Sequence, residues 1–397
     1  MKIKLLRKKE NFLKIFQKSI PLFFQEKYPN SIFINIEYII NDNLNIVYPS
    51  KINRNDLSEL VAEFKYHPKA YRRILQTAYT FFAIRWPIEV ITSSELIKIS
   101  MPVEEAEKWI FIPGNHSIRA IDLKKNRCFV FLKHGFDKKF LQSDANIRLK
   151  YQWLKAPKVI QLKNHFYEEQ RVIGLPWNRL SSIDLKNKVI TRAQEELSKL
   201  YQKTIISVYI KDYVSELCNN ILTMLDNSIN ELSARKKYII TNFLDKMNLM
   251  IVNSCGDLYI DLVITHGDFQ PGNILCSKDD FWIIDWEYSN RRSIFYDALV
   301  FDLECRFPLG LATRFNKKIR ELANINDYLK WTGVALNKDK GYYFCVFFLE
   351  DLLLRMDEIS IETKKNKSEF LSNYLNEFLE IQEILIKDNK NYHDKAN

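Results

Sequence analysis

The sequence predicts an α+β chain: antiparallel strands in its first half, a mainly helical second half, and an additional N-terminal α/β module ahead of both. Three observations predict this. Between Trp109 and Lys133, short apolar runs alternate with tight turns. After Gly174, apolar residues recur at helical spacing over long stretches. Between Leu258 and Glu287, a polar loop framed by two strand-like runs interrupts the helices. The composition sets the frame. At roughly 100–200 residues per domain, the 397 residues allow two or three domains. Hydrophobic residues make up 47% and charged residues 27%, which excludes a disordered chain, a collagen-like repeat and a disulfide-rich miniprotein. The 59 Lys and Arg outnumber the 49 Asp and Glu by 10, a balance compatible with phosphate-bearing ligands or an anionic surface.

Residues 1–108 form a module in which no chemistry is recognisable. Phe12, Phe16, Ile20, Phe23 and Phe24 share one helical face, with Lys14, Lys18 and Glu26 between them. The first 27 residues hold eight Lys or Arg and two Glu, so this helix either packs on its own domain or lies on a membrane surface. Ser31 to Pro49 alternates and breaks at Asn41-Asp42-Asn43, which reads as a β-hairpin. Residues 68–84 read as a helix opened by Pro68. From Trp109 three strands follow: Trp109–Ile112, Ile118–Asp122 and Cys128–Lys133, joined by turns at 113–117 and 124–127. A helix over 138–154 is ended by Pro157, and strands at 159–162 and 165–170 come next. Helices are expected at 187–200, 205–234 and 236–252, and again from 311 onward. The expected domains are 1–108, 109–170 and 171–397. Six cysteines without C-x-x-C spacing read as buried, reduced thiols of a cytoplasmic protein. The basic N-terminus has no signal-peptide core. The most apolar stretch, 78–91, is broken by Arg85, Pro87 and Glu89 and is too short to span a bilayer.

The chemistry concentrates in Val263-Ile-Thr-His-Gly-Asp-Phe-Gln-Pro-Gly-Asn-Ile-Leu275 and Phe281-Trp-Ile-Ile-Asp-Trp-Glu287. Two apolar runs flank a loop holding His266, Asp268 and Asn273, and the second run ends in Asp285. A hairpin of two short strands would bring Asp268, Asn273 and Asp285 to one end. An amide oxygen and a carboxylate that converge suit Mg²⁺, a hard ion that keeps company with nucleotide phosphates. Asp268 is then left to face a substrate hydroxyl. Two of the nine glycines, Gly267 and Gly272, fall in this loop, where the backbone must turn tightly.

The spacing His-x-Asp-x-x-x-x-Asn, followed about a dozen residues on by a metal-binding Asp, is that of phosphoryl transfer in the kinase fold. With His-Gly-Asp, Pro-Gly-Asn and Ile-Asp-Trp-Glu in place, the sequence closely resembles the aminoglycoside phosphotransferase and choline kinase superfamily. The resemblance covers about three quarters of the chain, from 109 onward. It implies a two-lobed protein-kinase-like fold, with an antiparallel β small lobe and a mainly helical large lobe. It implies Asp268 as catalytic base and Asn273 and Asp285 as metal ligands. Lys133 would hold the α- and β-phosphates under a turn containing Gly114 and Ser117. The stretch around Glu169 and Gln170 would be the hinge that hydrogen-bonds the base through its backbone. His266 would fix the loop backbone, and Asp297 would support it. Family members place a Glu on the helix after the lysine. This helix has none, and Asp144 is the carboxylate nearest to taking its place.

The implied activity is transfer of the γ-phosphate of ATP or GTP, with Mg²⁺, to a hydroxyl of a small molecule such as a sugar, amino alcohol or aminoglycoside-like acceptor. Glu350 and Asp351, with Asp302 and Glu304, are candidates to face that acceptor or to lie on solvated helix faces. Arg291 and Arg292 either touch an anionic acceptor or belong to a solvated loop. Two other classes stay open on the residues alone. One is a catalytically degenerate kinase-like scaffold. The other is a protein that binds nucleic acid or a membrane surface through the basic N-terminal module, although no nucleic-acid motif supports the former version.

Overall fold

A computed structural model describes residues 3–67, 69–84, 95–227, 233–255, 258–277, 280–307, 309–321, 331–332, 341–361 and 373–387. The elements of the first half are α1 (Ile3–Lys9), α2 (Phe12–Lys27), β1 (Phe33–Asn41), β2 (Ile46–Pro49), α3 (Arg54–Leu60), α4 (Ala70–Ala83), β3 (Glu95–Pro102), β4 (Trp109–Pro113), β5 (Ser117–Asp122), β6 (Arg127–Leu132), α5 (Lys138–Lys150), β7 (Val159–Leu162), β8 (Phe166–Glu169) and β9 (Leu175–Pro176). The second half continues with α6 (Ile183–Thr204), β10 (Ile206–Tyr209), α7 (Ile210–Asn227), α8 (Ala234–Cys255), β11 (Tyr259–Thr265), β12 (Ile274–Cys276), β13 (Phe281–Ile283), β14 (Asn290–Ser293), α9 (Tyr296–Asp302), α10 (Leu311–Glu321) and α11 (Gly341–Ile361). Residues 373–387 are also helical. The class is α+β, as the sequence predicts. No described helix is long and apolar enough to cross a membrane. The chain forms two compact units, 1–193 with 271–288, and 194–270 with 289–397.

The first unit is built on an eight-stranded antiparallel sheet in the order β3-β1-β2-β4-β5-β6-β8-β7. Side chains of a strand alternate between faces, and both faces here are apolar. Trp109, Phe111, Ile118, Ala120, Phe129 and Phe131 pack against Phe12, Phe16, Ile20, Phe23 and Phe24 of α2. Phe23 stacks on Phe131 with centroids 4.5 Å apart. Burying each such ring contributes roughly 1.5–3 kcal/mol, which fixes α2 to the sheet. On the other face Val130 meets Leu141 and Ala145 of α5 and Tyr167 of β8. The amphipathic N-terminal helix is therefore a core helix of its own unit.

The boundary expected between 108 and 109 falls inside this sheet, because β2 pairs with β4 through Val47 and Phe111. The first hairpin turns later than its polar run suggests. Asn41 Oδ1 accepts the N–H groups of Asn43 and Leu44, and Asn45 takes the left-handed φ of 60°. The helix expected over 68–84 is α4, and Pro68 lies outside the described residues. Strand β3, which the sequence does not announce, pairs with β1 from Phe33 to Ile40. A second, three-stranded sheet of this unit runs β13-β12-β9.

The second unit combines the sheet β10-β11-β14 with long helices. A helix was expected from 205, but Ile206-Ser-Val-Tyr209 pairs with β11 instead, and the helix begins at Ile210. β-branched and aromatic residues fit a pleated edge better than a helix. β14 is likewise a strand where a solvated loop or an anion contact was considered. Arg291 donates to the Thr204 carbonyl at 2.7 Å, and Arg292 donates to Thr265 Oγ1 at 3.0 Å. α11 is apolar nearly all round and correspondingly buried. Glu350 and Asp351 on it lie on no solvated face, with exposures of 2% and 0%. Glu350 accepts from Ser293 N–H, Ser293 Oγ and Tyr213 Oη, each at 2.6 Å, and so ties α11 to β14 and α7. Asp351 accepts from Tyr296 Oη at 3.2 Å and pairs with Arg355 at 3.4 Å. Asp302 pairs with Lys318 at 2.7 Å.

Candidate active site

In the second unit β11 delivers the chain into His266-Gly267-Asp268. Gly267 adopts φ = 85°, a conformation open to glycine at no steric cost. The turn is held by Asp297, which is completely buried at the start of α9. Its carboxylate accepts the N–H of His266 at 2.7 Å, the N–H of Gly267 at 2.9 Å and the hydroxyl of Tyr201 at 2.8 Å. His266 is also fully buried, and its Nδ1 accepts the Asp268 N–H at 3.2 Å. A ring nitrogen that accepts carries no proton, so this imidazole braces the backbone of the residue two positions on. Both oxygens of Asp268 are engaged. Gln270 Nε2 donates to Oδ2 at 2.9 Å, and Arg306 Nε donates to Oδ1. Arg306 also donates to the Gly267 carbonyl at 2.8 Å. Its guanidinium pKa is pushed up: burial and Arg355 oppose its charge, and nearby anions, Asp268 foremost, outweigh them.

In the first unit β12 and β13 form a tight hairpin with Ile274 opposite Ile283. Ile284 N–H donates to the Asn273 carbonyl at 2.9 Å, which places Asn273 beside the segment carrying Asp285. Asp285 has φ = 71°, in the left-handed region that a non-glycine residue occupies at a cost of about 1–3 kcal/mol. Its flanks hold it there. Ile284 is fixed by Asn273, and Trp286 N–H donates to Asp144 Oδ1 at 3.1 Å. The hairpin thus gathers Asn273 and Asp285, while Asp268 belongs to the second unit. Among the described residues no group of three or more His, Cys, Asp or Glu side chains is arranged to hold a metal ion. An amide and a carboxylate are nonetheless hard oxygen donors of the kind Mg²⁺ takes, since it leaves its other positions to water and phosphate. Glu287 is buried and meets His116 Nδ1 at 3.2 Å. The His116 ring stacks on Phe140 with centroids 3.8 Å apart.

The turn between β4 and β5 is closed by Gly114 N–H donating to the Ser117 carbonyl at 2.9 Å. A Cβ at Gly114 would lie 3.0 Å from that oxygen, so the turn favours glycine. Lys133 follows β6 and is 1% exposed. The pairing considered for it with Asp144 is not formed. Lys133 Nζ donates to Glu10 Oε1 at 2.7 Å and to the Asn115 carbonyl at 2.8 Å. Asp144 faces the interior of the sheet instead, where it accepts from Tyr167 Oη and pairs with Arg148 at 3.1 Å. Burial raises its pKa against the pull of Arg148.

The stretch expected to be the hinge begins at the end of β8. β8 lies between β6 and β7 and is no open edge. Gln170 N–H donates to the Lys158 carbonyl at 2.8 Å. Glu169 is buried between Arg119 at 3.0 Å and Arg148 at 2.7 Å. Burial opposes its charge, but the two guanidiniums prevail and hold its carboxyl below the ordinary value. Three residues of these networks were not found from the sequence: Glu10, Arg306 and Arg148. Arg306 follows the Asp297 segment closely enough to have been a candidate. Glu10 had no local signal at all.

No family model matches the chain, and no curated protein matches it. Solved structures similar to it include a choline kinase from Cryptosporidium parvum Iowa II, at 14% identity, covering 71% of this chain and 90% of that one, with a TM-score of 0.44. A choline/ethanolamine kinase family protein from Mesorhizobium loti matches at 13% identity, covering 78% and 94%, with a TM-score of 0.45. An aminoglycoside phosphotransferase from Streptomyces rimosus matches at 15% identity, covering 63% and 94%, with a TM-score of 0.40.

Proposed function

We propose that the chain is a Mg²⁺- and nucleotide-dependent phosphotransferase that moves the γ-phosphate of ATP or GTP to a hydroxyl of a small molecule. The observation that carries this reading is the hairpin in which Asp285, in a strained backbone conformation held on both sides, adjoins Asn273. Strain that neighbouring bonds enforce is a mark of functional positions. In this reading Asn273 and Asp285 hold Mg²⁺, which when bound neutralises phosphate charge. Lys133 holds the nucleotide phosphates beside the Gly114–Ser117 turn. Asp268 orients the acceptor hydroxyl and receives its proton, in a loop whose backbone Asp297 and His266 set. Phosphoryl transfer demands positioning and charge neutralisation more than covalent chemistry, and a loop fixed by buried hydrogen bonds supports this reading.

A nucleotide-binding scaffold without turnover is the second reading. The engagement of both Asp268 oxygens by Arg306 and Gln270 favours it. The test is Mg²⁺-dependent nucleotide turnover with a panel of sugars, amino alcohols and aminoglycosides, run beside Asp268→Ala. The expected result is acceptor-stimulated turnover that falls by about 10²–10⁴ in the variant while nucleotide binding persists. Unchanged turnover in Asp268→Ala would sink the assignment. Binding without turnover across the panel would favour the scaffold.

A further inference from the structure

Lys133 is buried, and a buried ammonium without a counter-charge is strongly destabilising. One counter-charge comes from 123 residues away, at the junction of α1 and α2. The Glu10 side chain there is 9% exposed. The junction is fastened on both sides. On α1, Ile3 N–H donates to Asn45 Oδ1 at 2.7 Å, and Arg7 pairs with Asp42 at 3.3 Å and Glu95 at 3.0 Å. On α2, Ser19 Oγ accepts the His134 N–H at 2.9 Å, one residue from the lysine. Phe16 and Phe23 meanwhile lock the helix onto β4 and β6. The carboxylate is thus presented by a rigid corner, and the same ammonium also holds the carbonyl of Asn115 in the turn between β4 and β5. Asp144, on the helix that follows the lysine, is committed to Tyr167, Arg148 and Trp286.

We propose that Glu10 is a positioning residue for nucleotide binding: it orients Lys133 against the Asn115 turn, a task for which the helix after the lysine offers no carboxylate. The inference rests on reading Lys133 as the lysine that holds nucleotide phosphates. It gives residues 1–108 a part in the active site as well as in the sheet. Loosening the corner between α1 and α2 lowers nucleotide affinity without touching any residue of the 266–287 segment.

The experiment measures the Kd of MgATP and MgGTP for the full chain. It compares the parent, Glu10→Gln, Glu10→Asp, Lys133→Met and the double variant Glu10→Gln/Lys133→Met. Glu26→Gln is the control, since Glu26 also lies on α2 and pairs with His165 at 3.0 Å. Glu10→Asp keeps the charge and shortens the reach, so it reports even where Glu10→Gln fails to fold. The expected result is a rise in Kd of about tenfold or more in Glu10→Gln or Glu10→Asp. The control stays unchanged, and Glu10→Gln has no further effect once Lys133 is Met. Parent-like Kd values in both Glu10 variants, with binding weakened in Lys133→Met, overturn the inference and leave the proposed function standing. An equal loss from Glu10→Gln with and without Lys133 also overturns it. If the parent binds neither nucleotide, the functional reading falls and the inference with it.

Discussion

Replacing Asp297 tests how far the loop carrying Asp268 depends on one carboxylate. The side chain is completely buried and accepts three hydrogen bonds. Oδ2 takes the His266 N–H and the Tyr201 hydroxyl, and Oδ1 takes the Gly267 N–H. Asp297→Ala leaves all three donors buried and unmet. Each orphaned donor costs roughly 1–3 kcal/mol, so the three together cost at least about 3 kcal/mol. That is a large share of the roughly 5–15 kcal/mol by which a native domain is stable. Asp297→Asn is milder. With its carbonyl oxygen in the place of Oδ2 it keeps two partners and turns an N–H toward Gly267, for a loss of roughly 1–3 kcal/mol. Urea unfolding followed by circular dichroism gives the order: parent, Asn, Ala. Hydrogen exchange at the His266 and Gly267 amides localises the effect. An Asp297→Ala protein within about 1 kcal/mol of the parent, or unchanged protection of those two amides, would refute the reasoning.

Two further predictions concern stability. Burial pushes the Glu350 carboxyl up to about 7 from 4.5, against the donors of Ser293 and Tyr213. The native state then keeps a proton that the unfolded chain releases. The stabilisation is fully present below about pH 4.5 and fades as pH rises through about 7. The shift corresponds to up to about 3 kcal/mol. Urea unfolding at several pH values should show this slope in the parent and not in Glu350→Gln, and parallel curves would disprove it. Gly174→Ala places a Cβ 2.9 Å from the Cys276 carbonyl oxygen and 3.1 Å from its carbon, both backbone atoms that cannot swing aside. The pairing of β9 with β12 must shift, at a cost of about 1–3 kcal/mol in the same assay. An unchanged urea midpoint would show that the strands give way freely.

The parts of this protein legible in its sequence are those whose partners are close along the chain. The meander β4–β6 announces itself by alternation and turns. The hairpin β12–β13 announces itself by two short apolar runs around Asn273 and Asp285. β14 was missed because Asn290-Arg-Arg-Ser293 is polar throughout, and its strand character comes from pairing with β11 rather than from its own residues. β10 was missed because a short run of Ile, Ser, Val and Tyr runs straight into a strongly amphipathic helix. The ion pairs were the hardest. Asp144 sits at a plausible position for Lys133, but its helix turns it toward β8. Glu10 lies in a segment whose only visible signal is amphipathicity. Local patterning reports which face a residue takes, not which distant charge will meet it there.

The register between β2 and β4 has a consequence for how the chain can vary. Residues 1–108 are no appendage to the strands that follow them. Cutting at 108 would strip α2 from Trp109, Phe111, Phe129 and Phe131, leaving an aromatic wall facing water. It would also turn β4 into a bare sheet margin with unpaired amides, a template for adhesion between molecules. The N-terminal quarter and the strands after it are therefore a single structural piece. The distal edge is bound in as firmly, because Ile97, Ile99 and Met101 of β3 are buried in the same core as α2.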